Sequence, residues 1–450
     1  LSESQGGFLD SWRESLEQGI EALSQRCPDP LIFLERSAAR TVLFGPGGVT
    51  KAADVRAGGI ALETGGETGR SVHLSGLDEE SIVQGVRALI QGTVLPISER
   101  RSFSDLFDDF SEDPDGQIRR ILSRVPLGIR GARVGIQGKW LESVQDVRIA
   151  AAGRPQRVDR RAGRRLRMTV TLARAGRIGE ATADWVRRPG RVLDPEAFVA
   201  ALLERAERRL EAVPSKKGEQ TVVFAAGVAG VLVHEMFGHG LEAERGLQDE
   251  PIRPALARIG RGPACREIRI LDDPRRGRVP WRVDDEGAPA RPVLLVDDGR
   301  LTGRLTDRRT CGNSGSGSTG HGRRSSYRSP SLPRMGCTFL PAGNHDPERL
   351  LLETGAGVRI RRMSAARTDP IAGEALFQVS DADRIEQGRI GPPLEPFVLR
   401  VTLADTLSTL DRPCDDPAFD TCVGTCLKGH QPLAVSVGSP TIRLGVATVL

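Results

Sequence analysis

An apolar segment from Ala225 to Val233 runs into His234-Glu235-Met236-Phe237-Gly238-His239-Gly240. Neutral imidazoles are good zinc ligands, and a carboxylate beside the first of them can take a proton from metal-activated water. In the better-known His-Glu-x-x-His motif the two ligands lie four residues apart and share a helical face. Here the second histidine follows at the fifth position, which on a regular helix turns it about 140° from the first. Both reach one metal only if the helix ends or bulges between them. Gly238 and Gly240, on either side of His239, are residues that permit this.

Two histidines leave a catalytic zinc site one protein ligand short of the usual three. The remaining histidines are His73, His321, His345 and His430. Among the 7 cysteines, Cys422 and Cys426 fall with His430 at four-residue intervals. Any one thiolate would complete the set; a structural zinc half-site or buried apolar thiols fit the same cluster. An odd set of cysteines without framework spacing, in a chain this long, reads as reduced thiols of a cytoplasmic protein.

The elements that must position these residues follow from periodicity. Trp12, Leu16, Ile20 and Leu23 recur at helical steps between Leu9 and Gln25. Leu31–Arg36 and Arg40–Phe44 read as two short antiparallel strands, and Asp78 to Ile90 as a helix with an acidic start. The region 134–186 reads as a β-meander. Asp194-Pro195-Glu196 opens a helix with a cap, a first-position proline and a first-turn acid. The polar stretch Val213 to Glu219 then divides an N-terminal α+β domain, residues 1–213, from a β-rich C-terminal domain, residues 220–450. Near the end, 434–438 and 441–444 look like strands paired with each other.

Composition narrows the function classes. The 450 residues suffice for two or three domains. Gly 52 and Pro 29 together argue for many turns and against a helical bundle. No apolar run approaches the roughly 20 residues of a membrane helix, and the start, Leu1-Ser2-Glu3-Ser4, shows no charged-then-apolar leader. The formal charge is +5 with a sequence pI near 9.0, and Arg154, Arg157, Arg160, Arg161, Arg164, Arg165 and Arg167 crowd one stretch. The pI and that stretch are the sole support for a nucleic-acid-binding regulator. Aromatics are only 4%, too few for a stacking platform, so a solvated hairpin face is the preferred reading.

The segment Gly230 to Glu244 resembles the metal-binding helix of the TldD/PmbA family, bacterial and archaeal metallopeptidases once called modulators of DNA gyrase. Asp284-Asp285-Glu286-Gly287-Ala288-Pro289 resembles that family's acidic loop. Gly320 to Tyr327 followed by Pro333-Arg334-Met335 resembles its GxGRRxSY…PRM block. Cys426-Leu427-Lys428-Gly429-His430-Gln431 with Val437 to Thr441 resembles its C-terminal strand pair. Leu427 stands where the family often has glycine, and 369–394 matches poorly.

The resemblance implies a two-domain α+β fold: an N-terminal antiparallel sheet with helices, then a β-rich metal-binding domain. It selects Cys426 as the third zinc ligand beside His234 and His239, with Glu235 as general base. It further implies unfolded or peptide substrates, as in leader-peptide removal and antitoxin degradation, and a dimer, either with itself or with a TldE-like sister subunit. A non-catalytic partner subunit of the same fold is the alternative. Arg323, Arg324 and Tyr327 are candidate substrate-binding residues; salt bridges from the arginines to Asp284, Asp285 or Glu286 are the competing reading.

Overall fold

The computed structural model describes residues 12–65, 69–93, 110, 113–243, 267–311, 317–369, 372–422 and 424–450. The start of the first expected helix at Leu9, Glu244 of the motif segment and Cys265 lie outside the described residues. The chain is mixed α+β and rich in strands.

Six long or medium strands of the N-terminal half pair in the order Ser71–Leu74, Gly48–Glu63, Leu31–Gly45, Ala132–Ala151, Arg157–Arg174 and Arg177–Val186, every pair antiparallel. A short seventh, Gly128–Ile129, joins the end of Ala132–Ala151. The two strands expected at 31–36 and 40–44 are one. Ser37, Ala38 and Ala39 stay paired on both sides, and two ladders hold a central strand through a run that its own propensity would not. The helices Arg13–Ser24 and Glu79–Gln91 bury Leu16, Leu23, Ile82 and Leu89 with Ile32 and Leu62 of the sheet. The caps are those the residue types call for: Asp78 accepts from the Ser81 amide, and Asp194 from those of Glu196 and Ala197.

In the C-terminal half, Gly218–Phe224 pairs in parallel with Gly357–Asp369 and antiparallel with Ile442–Val449. The ladder continues through Phe397–Thr402 and Glu374–Glu386 and returns to Gly357–Asp369. Five strands therefore close into a ring, which leaves no edge along the closed part. A second sheet includes Ile270–Asp272, Cys337–Phe339 and Ser436–Ser439. The last two strands do not pair with each other, contrary to expectation. Ser436–Ser439 lies in the second sheet and Ile442–Val449 in the ring. The chain crosses between them at Pro440, and Asp416 holds Thr441 by its backbone N–H at 2.8 Å and its hydroxyl at 2.7 Å.

Arg154 and Arg157 at the start of the arginine-rich stretch are exposed, but from Arg160 on it is not a solvated face. Arg160 pairs with Asp146, Arg164 with Glu142, and Arg165 and Arg167 with Asp184. Arg161 is fully buried and reaches across to the C-terminal half, donating to Asp285 at 2.6 Å and the Val283 carbonyl at 2.6 Å. Asp285 also receives Arg323 Nε at 3.0 Å and the Arg324 backbone N–H at 2.7 Å. Beside it, Arg324 donates to Glu63 at 2.9 Å, and the Tyr327 amide to Glu35 at 2.6 Å. A side chain at Gly59 would meet the Tyr327 ring at 2.4 Å, so the strand carries glycine where that ring packs.

The acidic loop and the GxGRRxSY block thus fasten the two halves together. Burial pushes the Asp285 carboxyl up, but the charges of Arg161, Arg323 and Arg324 outweigh it and hold it at about 2. Replacing Asp285 with Asn leaves these guanidinium groups short of their counter-charge, at an expected cost of about 3–5 kcal/mol. Because the folded-state value is depressed, the stabilisation is complete above the unfolded value near ~4 and is lost as pH falls towards ~2. Urea unfolding of wild type and D285N between neutral and acid pH should show a gap that narrows on acidification. Equal midpoints at neutral pH would contradict the assignment.

Candidate metal centre

The helix that carries the motif changes pitch within it. Ala229–Val233 is α-helical, His234–Gly238 is one π-helical turn, and His239–Leu241 resumes the α-form. The His239 backbone N–H donates to the His234 carbonyl. In a π turn the fifth residue, not the fourth, lies above the first. The extra residue that the spacing required is absorbed here, and the two rings meet edge to face with centroids 5.0 Å apart.

Gly238 serves a different purpose from the one expected. Gly238 has ordinary helical angles, φ −56 and ψ −57. What it supplies is room: a Cβ there would lie 2.0 Å from Met335 Sδ. Gly230 does the same about two turns earlier, where a Cβ would lie 2.6 Å from the Gly438 nitrogen. The helix is therefore seated against the Pro333-Arg334-Met335 segment and the strand Ser436–Ser439.

Cys426 comes from the hairpin Thr425–Lys428 with Gln431–Ala434. Gly429 and His430, with φ 54 and 60, form its two-residue turn, the pattern of a type I′ hairpin. Buried Arg334 braces the hairpin from below, donating to the carbonyls of Cys426 at 2.9 Å and Gln431 at 3.0 Å. Cys426 Sγ lies 3.5 Å from His239 Nε2, and the ligand atoms of His234, His239 and Cys426 all fall within 4.8 Å of one another. Of the other candidates, His430 is an exposed turn residue. Cys414 pairs by a backbone bridge with His345 elsewhere, and Cys422 is buried beside the cluster without joining it. His321 is fully buried and tied to Asp272 and Thr319.

Two residues that the sequence reading did not nominate orient the donors. Glu242 accepts from His239 Nδ1 at 3.1 Å, from the Lys428 ammonium at 3.0 Å and from the Met335 amide at 3.2 Å. Lys428 lies two residues after Cys426 on one strand, hence on the same face, and Glu242 three residues after His239, at the extended cap that ends the helix. Both spacings were readable, had a carboxylate behind the metal-ligating imidazole been sought. Burial would raise Glu242, but His239 and Lys428 bring it to about 2. Burial would lower His239, but its hydrogen bonds to Cys426 and Glu242 lift it to about 10. Burial would raise the Cys426 thiol, but His234 and His239 bring it to about 5. This set stabilises a thiolate, the form that binds metal. His234 Nδ1 is buried without a hydrogen-bond partner, a costly state for a polar atom in an otherwise bonded site. Two imidazoles and a thiolate with one orphaned ring nitrogen suit a zinc ion.

Glu235 stands beside this cluster. Thr368 donates its hydroxyl to Glu235 Oε2 at 2.8 Å, and that oxygen is 4.0 Å from His239 Nε2. Both His234 and Glu235 open on a cleft of about 310 Å³ that Cys426, Arg362 and Ser364 line with Arg167 and Thr182 of the N-terminal sheet. Arg323, Arg324 and Tyr327 do not line it. They are buried at the seam between the halves, on Asp285, Glu63 and Ser75.

The fold brings together a donor set that could hold a metal ion, and similarity to known proteins gives its family. The family model described as the PmbA/TldA metallopeptidase C-terminal domain matches residues 217–450, and the chain belongs to the TldD/PmbA family. A metalloprotease TldD homolog of Haemophilus influenzae is 30% identical over 256 residues, 56% of this chain and 52% of that protein. A zinc metalloprotease TldD homolog of Saccharolobus solfataricus is 29% identical over 260 residues, 56% of each chain. The chain thus matches about half the length of these relatives. The TldE structure from Thermococcus kodakarensis shares the fold, with TM-score 0.76 at 15% identity over 97% of this chain and 99% of that one.

If Glu242 orients His239, then Glu242→Ala should weaken zinc binding by about 10- to 100-fold while thermal unfolding in excess metal stays near wild type. Chelator competition measures the affinity; an unchanged value would remove Glu242 from the site.

Proposed function

We propose that this chain is a zinc-dependent peptidase that cuts unfolded chains or peptides, of the kind processed in leader-peptide maturation or antitoxin and peptide degradation. The observation that supports this best is the convergence of His234, His239 and Cys426, with Glu235 held by Thr368 at the same cleft. His234, His239 and Cys426 would hold the ion, which when bound supplies a Lewis acid and lowers the pKa of water. The chain's own part is positioning and proton transfer. With Oε2 engaged by Thr368, Glu235 presents its other carboxylate oxygen to accept the proton of the attacking water and return it to the leaving amine. Glu242 and Lys428 fix the His239 ring and its proton on Nδ1.

The substrate class follows from an open strand edge. Gly357–Asp369 pairs with Gly218–Phe224 only over Val358 to Ile360. Beyond that point no strand among the described residues pairs with this edge, and Met363, Ser364 and Ala365 line the cleft. An extended peptide can add there through its backbone, a mode tolerant of side chains. In this reading the chain acts in the cytoplasm as a dimer, with a second copy or with a TldE-like sister subunit. The alternative, a non-catalytic partner subunit, has in its favour the fold shared with TldE. Against it stands the presence of all three ligands and the base.

Metal analysis should find about one zinc per chain, lost in Cys426→Ala. Glu235→Gln should keep zinc and fold and abolish cleavage, since proton transfer alone is removed. Wild-type turnover by E235Q would favour the scaffold reading or another base. Backbone recognition further requires an unstructured peptide to be cut far faster than the same sequence locked in a folded domain; equal rates, or a strict demand for one side chain at every subsite, would refute it.

A further inference from the structure

A second cleft, of about 620 Å³, lies where strands Ala132–Ala151 and Arg157–Arg174 meet the segment 275–280 of the other half. Its lining is cationic, with Arg164, Arg187, Arg188, Arg191, Arg275 and Arg278. Three are neutralised: Arg164 by Glu142, Arg188 by Asp420 and Arg275 by Asp273. Among the described residues Arg187, Arg191 and Arg278 form no ion pair, though Asp420 and Asp184 offset part of the Arg278 charge from a distance.

The cleft is built rather than incidental. Arg188-Pro189-Gly190-Arg191 is a tight turn closed by the Arg191 N–H on the Arg188 carbonyl at 3.0 Å, with Gly190 at φ 73. Proline then glycine at the two central positions is the type II pattern, so the backbone carrying both arginines is fixed. Arg278 is 8% exposed. Ser436 Oγ accepts from its amide at 2.8 Å, and its guanidinium donates to the Gly424 carbonyl at 2.6 Å, while Nε is buried with no partner. A guanidinium carries five N–H donors, and burying one among like charges with so few acceptors is unfavourable unless an anion completes the set. Gly163 lets the segment seat this closely: a Cβ there would lie 2.7 Å from Val279 and 3.0 Å from the Arg278 carbonyl. Gly424 also lines the metal cleft, two residues before Cys426, so Arg278 supports a wall shared by both clefts.

We propose that this arginine cleft is a carboxylate subsite that takes an acidic side chain, or the free C-terminal carboxylate, of the chain being cut. This rests on the peptidase reading above. Guanidinium forks match carboxylates in a bidentate manner. Among the described residues the lining holds one aromatic, Phe110, fewer than the stacking faces that single-stranded nucleic acid uses.

The test separates binding from cleavage by using zinc-loaded E235Q full-length protein and fluorescence anisotropy at fixed ionic strength. One unstructured peptide is made with aspartates, with asparagines in their place, and in each case with a free or amidated C-terminus. The acidic or free-carboxylate form should bind about tenfold tighter or more. Loss on Asp→Asn exchange assigns a side-chain carboxylate, and loss on amidation the terminal one. Arg187→Gln with Arg191→Gln, both at exposed positions, should erase the preference while zinc content and thermal unfolding remain unchanged; Arg278→Met should erase it too. Equal binding of all four peptides, a preference that survives the double variant, or stronger competition by a short oligonucleotide than by the acidic peptide would each overturn the subsite. Wild-type cleavage of neutral and acidic peptides without preference fails the subsite alone. A binding preference with no cleavage of any peptide fails the peptidase reading alone.

Discussion

A single backbone hydrogen bond, from the His239 N–H to the His234 carbonyl, sets the geometry on which the metal centre depends. With regular α-helical bonding the two imidazoles would diverge by about 140°, and no movement of Cys426 would restore one site. π turns are rare and less favourable than the α-helix, so the surroundings must hold this one. They do so by packing. Met335 fits against the bare Cα of Gly238, the strand backbone at Gly438 against that of Gly230, and Val231, Leu232, Val233 and Phe237 sit in one buried core with both sheets of the C-terminal half. A local distortion held by buried neighbours is characteristic of functional positions.

The motif blocks then divide by physical role. Pro333-Arg334-Met335 is a brace: one residue seats the helix, and the next before it ties down the hairpin that carries Cys426. The acidic loop and the Arg323–Arg324 pair are a fastening between halves, with the guanidinium groups spent on Asp285 and Glu63. Such buried ion pairs contribute orientation more than net stability. The orientation matters here because Arg167 and Thr182 of the N-terminal sheet form part of the metal cleft. Asp184 strengthens the same seam at the cleft itself, bonding Arg167 of its own sheet and, at 2.6 Å, Arg362 of the strand that borders the site.

How much of this was legible in the sequence depends on the range of the interaction. His234, Glu235 and His239 declare themselves, because ligand chemistry and helical spacing are local properties. So do the caps at Asp78 and Asp194. The need for a bulge between the histidines follows from arithmetic, but its kind does not: a π turn is selected by Met335, nearly a hundred positions away. The merging of 31–36 with 40–44 into one strand was hidden for the same reason, since the ladders that override Ser37 and Ala38 come from strands at either side. Charge runs mislead most. Arg160 to Arg167 looks solvated when read linearly, whereas its counter-charges, Asp146, Asp184, Glu142 and Asp285, are supplied by neighbouring strands and by the other half.

These long-range pairings also explain why the site lies where it does. The ring of strands and the second sheet would by themselves leave the motif helix open along the edge of Gly357–Asp369 beyond Ile360. The N-terminal sheet closes over that side without pairing to it, because the contact there is a side-chain ion pair, Arg362 on an Asp184 that Arg165 and Arg167 of the sheet itself also hold, rather than a β-ladder. Among the described residues no strand pairs with that edge beyond Ile360, so apart from the Met363 amide, which bonds Cys422, its backbone groups face a partly water-excluded cleft, where hydrogen bonds are stronger than in bulk solvent. In the proposed reading, that combination is what would let the cleft take an extended chain, as a sheet edge already satisfied by a neighbouring strand could not.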